Sequence, residues 1–116
     1  MHLKVERFED IIAWQKAKEL TILIYKAFKN CKDYAFREQI QRASVSIMNN
    51  IAEGYERKSN NEFKQFLFIA KGSCGEVRSM LLLAKDLEKI YSNEFEEAFQ
   101  LSEEVSKLLS GFIKTL

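Results

Sequence analysis

The sequence predicts an all-α protein: one antiparallel up-down-up-down four-helix bundle. Three observations predict it. The 116 residues contain no proline and only four glycines, whereas a sheet protein of this size needs turn residues at every corner. Apolar residues recur at spacings of three and four through four long stretches, as they do on helices with a buried face. Short polar segments separate the stretches, and short connections make consecutive helices antiparallel neighbours. Nine phenylalanines, four tyrosines and one tryptophan give the core bulk. The length suits a single domain over residues 1–116, and no linker, internal repeat or low-complexity segment divides it.

The first helix is expected to begin near Asp10, or one residue earlier, where Glu9-Asp10 suits the positive end of the helix dipole. Ala13, Ala17, Leu20, Ile24 and Ala27 form its apolar seam, with Trp14 and Phe28 beside it. Trp14, with Gln15 and Lys16, is expected to pack at a helix or subunit boundary; base stacking by an exposed Trp14 is the alternative. The helix should end around Lys29 or Asn30, leaving Asn30-Cys31-Lys32-Asp33 as a polar connection.

The second helix is expected from Tyr34 or Ala35 to Glu53, with Gly54 stopping it in the left-handed conformation of a C-terminal cap. Phe36, Ile40, Ala43, Ile47 and Ile51 share one face at about 100° per residue. Val45, Met48 and Ala52 lie roughly opposite. A helix apolar on two sides has two surfaces to bury, its own bundle and a second copy of the protein. Gln39, Arg42, Ser46, Asn50 and Glu53 line up as a polar stripe along one edge.

Ser59-Asn60-Asn61-Glu62 has capping-box spacing and opens the third helix, which is expected to run to about Lys89. Its seam is Phe63, Phe66, Leu67, Ala70, Cys74, Val77, Leu81 and Ala84. Gly72 and Gly75 inside this helix each cost about 1 kcal/mol relative to alanine; close approach of another helix is the expected compensation. Asn93 and Glu96, again at capping-box spacing, open a fourth helix whose seam is Ala98, Leu101, Val105, Leu108, Phe112 and Leu116.

Eighteen basic residues stand against seventeen acidic ones, with a mildly basic first half and a mildly acidic second. A protein that lives on phosphate contacts carries a stronger basic excess. Cys31 and Cys74 lack metal-ligand spacing and read as free thiols in a reducing cytoplasm. No stretch reaches the ~18 apolar residues a membrane span needs, and the N-terminus lacks a secretory apolar core. A cytoplasmic protein with no membrane contact is expected.

Residues across most of the chain carry a family resemblance. Phe8-Glu-Asp-Ile-Ile-Ala-Trp-Gln-Lys-Ala17, Gln39-Ile-Gln-Arg-Ala-Ser-Val-Ser-Ile47, Asn50-Ile-Ala-Glu-Gly54, Phe63-x-x-Phe-Leu-x-Ile-Ala70 and Gly72-Ser-x-x-Glu76 resemble the 23S rRNA intervening-sequence protein family, also called four-helix bundle protein. Met48 departs from it, standing where proline is common, and implies a straighter helix here. The resemblance implies a bundle that assembles into a five-fold ring without enzyme activity. Such proteins are encoded within intervening sequences of ribosomal RNA genes or in free-standing genes. A related, markedly basic branch, the accessory variability determinants of diversity-generating retroelements, implies RNA and a reverse transcriptase as the alternative partners.

The polar stripe reads as an assembly network before it reads as a ligand groove. Arg42 suits a bidentate carboxylate pair; Glu76, beside Ser73 and Glu62, is the first candidate and Glu53 the second. Ser44 and Ser46 have no histidine to activate them, since the one histidine is His2, so no catalytic site is expected. Glu53, Glu62 and Glu76 lack the Glu-x-x-His pattern of di-iron bundles, so neither metal nor cofactor is expected. Arg37, Arg57 and Lys58, with Lys64, Lys71 and Arg42, are the candidate nucleic-acid contacts; repeated around a ring, a weak patch gains avidity. A solvated surface balanced by Glu38, Glu53 and Glu56 is the plainer reading of the same charges.

Overall fold

Helix boundaries in the computed structural model, which describes residues 5–116, follow the local chemistry of the chain. A 3-10 turn over Phe8–Asp10 precedes α1 (Ile12–Ala27), α2 (Tyr34–Tyr55), α3 (Asn60–Asp86) and α4 (Ser92–Lys114). The fold is all-α. Helix α1 starts later than the Glu9-Asp10 pair suggested, because Ile11 is extended (φ −75°, ψ 121°) and buries its side chain in the core. Gln15 reaches back to donate to the Glu9 carbonyl at 2.9 Å, fastening the turn to the helix. Trp14 packs edge-on against Phe8, with centroids 5.2 Å apart. At the other end α1 stops at Ala27, short of Lys29. Phe28 leaves the helical conformation and packs, fully buried, against Phe36 at 5.8 Å.

Asp33, placed by the sequence in a plain polar connection, is the N-cap of α2. Its carboxylate accepts from the Phe36 amide at 3.2 Å and pairs with Lys89 at 3.3 Å. The amide bond first, then Lys89, hold its pKa below the usual carboxylate value. Helix α2 runs unbroken through Met48 and Gly54 to Tyr55. Gly54 is therefore not a left-handed cap, and no glycine among the described residues has positive φ.

Ser59 caps α3 as its spacing suggested, accepting from the Glu62 amide at 3.2 Å, while its hydroxyl reaches the Glu62 carboxylate at 3.3 Å. The helix closes in a Schellman arrangement. Lys89 N–H donates to the Ala84 carbonyl (2.8 Å) and Glu88 N–H to Lys85 (3.1 Å), with Glu88 itself left-handed at φ 56°. The Asn93–Glu96 capping box does not form. Tyr91 is the N-cap of α4, without a side-chain bond, and Asn93 is already inside the helix.

Contacts between helices fix the topology. Phe28 meets Phe36 and Thr21 meets Ser44; Gln39 meets Glu76 and Ser46 meets Ser73; Cys74 meets Ser102 and Phe63 meets Phe112. In each pair of helices one partner number rises as the other falls, so consecutive helices are antiparallel. α1 closes the square against α4. Leu20, Ile24, Ile40, Ile47, Ile51, Leu67, Val77, Leu81, Val105 and Leu109 are fully buried. Helix α4 keeps Ala98 and Val105 of its expected seam inside but is rotated about them: Phe95, Ser102 and Leu109 also go inside, while Leu101, Leu108, Phe112 and Leu116 are half-buried. Small Ser102 lets the Cys74 thiol reach its carbonyl at 3.1 Å, and its own hydroxyl is satisfied by the Phe99 carbonyl at 2.7 Å.

Candidate interaction surface

Five residues of the expected polar network meet along the seam between α2 and α3. Gln39 donates to the Glu76 carboxylate at 3.3 Å, and the Ser46 and Ser73 hydroxyls are 3.0 Å apart. Asn50 donates to the Ser46 carbonyl at 2.8 Å and lies 3.0 Å from its hydroxyl. These bonds set the register of the two helices with neutral donors, so no charge has to be buried. Arg42 and Glu53 do not join. They lie further round α2, on the solvent side. Arg42 pairs with Glu38 one turn earlier and Glu53 with Arg57 at 3.5 Å, so the cross-helix pair between Arg42 and Glu76 or Glu53 is not formed. The Ser44 hydroxyl donates to the Gln41 carbonyl at 2.7 Å. No group of three or more metal-binding side chains occurs among the described residues.

The outward face of α3 carries four of the large apolar side chains left exposed; Ile12, Ile22 and Tyr25 are exposed on α1. Phe68 (55% exposed), Ile69 (52%), Leu82 (48%) and Leu83 (49%) all face solvent. Between them Gly72, Gly75 and Ser79 are exposed, and a Cβ added at either glycine would meet nothing within 4 Å. The close approach expected at Gly72 and Gly75 is thus not made among the described residues. Val45, Met48 and Ala52, the expected second apolar side of α2, are only half exposed, and Met48 packs on the core. The sequence reading missed Phe68, Ile69, Leu82 and Leu83. A signal was present: Phe66-Leu67-Phe68-Ile69 and Met80-Leu81-Leu82-Leu83 are runs of four, and four successive apolar residues cover every side of a helix.

The candidate nucleic-acid contacts are dispersed. Arg37 sits in the first turn of α2 with its guanidinium 4.9 Å from the Tyr34 ring. Arg57 lies just past the other end of that helix, over the Phe66 ring at 4.7 Å, with exposed Lys58 beside it in sequence. Arg37 and Arg57 are separated by almost the whole length of α2, about 30 Å. Lys64 and Lys71 belong instead to a row on α3 with Arg78 and Lys85, none of them ion-paired among the described residues. Arg78 lies 5.8 Å from the Phe99 ring centroid and Lys85 lies 4.8 Å from that of Phe95, so α4 supports this row from one side.

Residues 9–111, almost the whole bundle, match the family described as 23S rRNA-intervening sequence protein. The chain belongs to that family. Among solved structures it is similar to the 1.70 Å crystal structure of a protein of unknown function from the S23 ribosomal protein family of Bacteroides thetaiotaomicron VPI-5482. The TM-score is 0.84 at 29% identity, over 89% of this chain and 99% of that one. No curated protein matches the sequence. The polar seam, Gly54 and the Gly72–Glu76 segment all fall within the matched residues of this 23S rRNA-intervening sequence protein. No helix among the described residues is long and apolar enough to cross a membrane.

Proposed function

We propose that this 23S rRNA-intervening sequence protein is a non-enzymatic interaction scaffold that assembles with itself, five copies closing into a ring. The observation that carries the reading is the exposed apolar face of α3, with Phe68, Ile69, Leu82 and Leu83 flanking two glycines that have open space above them. Burying such side chains is worth about 25 cal/mol per Å² of apolar surface, and the two exposed pairs, about 20 Å apart along one helix, give a partner two apolar anchor points. The number five rests on the family resemblance. A non-enzymatic role is supported by Ser44, Ser46, Ser73 and Ser102, whose hydroxyls bond to carbonyls or to one another rather than to a histidine or carboxylate. Molar mass from light scattering across a dilution series tests the reading. Five times the 13.6 kDa chain is expected, and a monomer at high concentration would overturn it.

One observation favours a second reading, an RNA-binding accessory factor acting with rRNA or a reverse transcriptase: the row Lys64, Lys71, Arg78 and Lys85, unpaired among the described residues. The near-balanced charge of the chain weighs against it. Retardation of RNA that weakens steeply with salt supports this reading; no retardation at micromolar protein removes it.

A further inference from the structure

The solvent face of α3 has an order that its apolar seam conceals. Phe68, Gly72, Gly75, Ser79, Leu82 and Asp86 follow one another at spacings of four and three along the helix. These are the positions that would form the a/d line of a helix packing along its length on another helix, with large apolar side chains at two of the six, Phe68 and Leu82. The buried seam of the bundle lies on the other side of α3, so this second line packs on nothing among the described residues. Its centre is small at Gly72, Gly75 and Ser79, where two backbones can come close, and bulky at Phe68 and Leu82.

The two edges of this stripe differ in kind. On the α4 side stand Lys64, Lys71, Arg78 and Lys85, each seven residues from the next, about 10 Å apart along the axis. On the α2 side stand Glu62, Ile69, Glu76 and Leu83, at the same spacing. Edge positions of this sort decide which way two helices run. If two copies of α3 ran antiparallel, the basic edges would face each other, with cations opposed along the whole contact. If they run parallel, each basic edge meets the other kind of edge. Lys71 then comes opposite Glu76 of the neighbouring copy, while Lys64 and Arg78 lay their aliphatic stems on Ile69 and Leu83.

We propose that the α3 helices of neighbouring copies pack side by side and parallel, the Lys64–Lys71–Arg78–Lys85 edge of one against the Glu62–Ile69–Glu76–Leu83 edge of the next. The occupant of the exposed face is a second copy of this chain, and the charge complementarity of its two edges selects it. Each copy gives one edge and receives the other, a head-to-tail contact of the kind that closes rings. This inference rests on the self-assembly reading and adds which helix is used and in which direction.

Charge reversal, a steric block and crosslinking test it together. Lys71→Glu and Glu76→Lys each oppose like charges and are expected to weaken association about tenfold, whereas the double variant restores it to within about threefold. Gly75→Leu, whose site is open in the single chain, keeps the fold by circular dichroism but lowers the assembled mass. For direction, Asp86→Cys in a Cys31→Ser background is treated with a thiol crosslinker about 10 Å long. Parallel helices bring the two introduced thiols together, whereas antiparallel packing about Gly75 puts them roughly 30 Å apart. Covalent joining between copies, with rescue in the double variant, is the expected result. A wild-type protein that stays monomeric overturns both this inference and the self-assembly reading. A wild-type oligomer with charge-reversal variants like wild type and no crosslink overturns the α3 contact alone.

Discussion

A Cβ placed on Gly54 would lie 2.6 Å from the Cβ of Phe66 and 2.9 Å from Cδ1 of Phe63. Here, at the end of their shared seam, α2 and α3 come so close that only a hydrogen fits. Gly54 therefore serves as a contact residue inside the helix, and its φ is ordinary.

Gly54→Ala is expected to destabilise the bundle by about 1–3 kcal/mol, the usual cost of overpacking a filled site, despite the better helix propensity of alanine. Gly72→Ala is the control. Its Cβ meets nothing among the described residues, so below the concentration at which copies associate it should gain up to about 1 kcal/mol. Urea unfolding of the two variants beside wild type measures both. Equal stability of Gly54→Ala and wild type would contradict the close approach.

Glu88 is held left-handed at φ 56° by the Schellman bonds that close α3. A side chain in that region costs on the order of 1 kcal/mol, and glycine avoids the steric part of it. Glu88→Gly should raise stability by a few tenths to about 1 kcal/mol, the greater backbone entropy of glycine offsetting some of the gain. A thermal melt that moves downward instead would show that the Glu88 side chain contributes more than its backbone costs.

Arg42 pairs only along its own helix, with both partners mostly in solvent (77% and 68% exposed). Exposed i,i+4 pairs contribute a few tenths of a kcal/mol, so Arg42→Ala should change bundle stability by less than about 0.5 kcal/mol. If assembly uses the α3 face, oligomer mass should also stay at the wild-type value. A loss of mass by light scattering would put Arg42 in an interface on α2.

Four helices and the seams of α1, α2 and α3 were legible in the sequence because burial repeats at the helical period, and Ala17, Ile24, Ile40, Ile51, Leu67 and Val77 obey it. Ser59 as the cap of α3 was legible because a side-chain cap is a local bond, although the Glu62 carboxylate meets the Ser59 hydroxyl. Gly54 was misread because a glycine near a helix end looks the same whether it turns the chain or admits a neighbour; only the position of Phe66 distinguishes them. Asn93–Glu96 had the right spacing, but buried Phe95 follows from how α4 docks, and docking set the start of that helix. Arg42 was given Glu76 as a partner by residue type, whereas its angle around α2 leaves that carboxylate to Gln39. Local bonds and periods are written in the chain; which neighbour each side chain meets depends on helix rotation, a property of the whole bundle.

Cys74 offers a test of burial that depends on pH. It is fully buried in the core, and desolvation pushes its thiol up to about 11 from an ordinary 9.0. The folded state therefore holds the proton more tightly than the unfolded state does. That stability is present in full below pH 9 and is lost as pH rises from 9 towards 11, where only the unfolded chain can shed the proton. A gap of this size amounts to roughly 2–3 kcal/mol. Cys74→Ala, which leaves a small cavity, should be less stable than wild type at pH 7, and the difference should narrow across pH 9–11 in urea titrations. In the native protein at pH 8 a thiol reagent should label half-exposed Cys31 and spare Cys74, with both reacting once the chain is unfolded. Rapid native labelling of Cys74 would mean that α3 and α4 part far more readily than their packing implies.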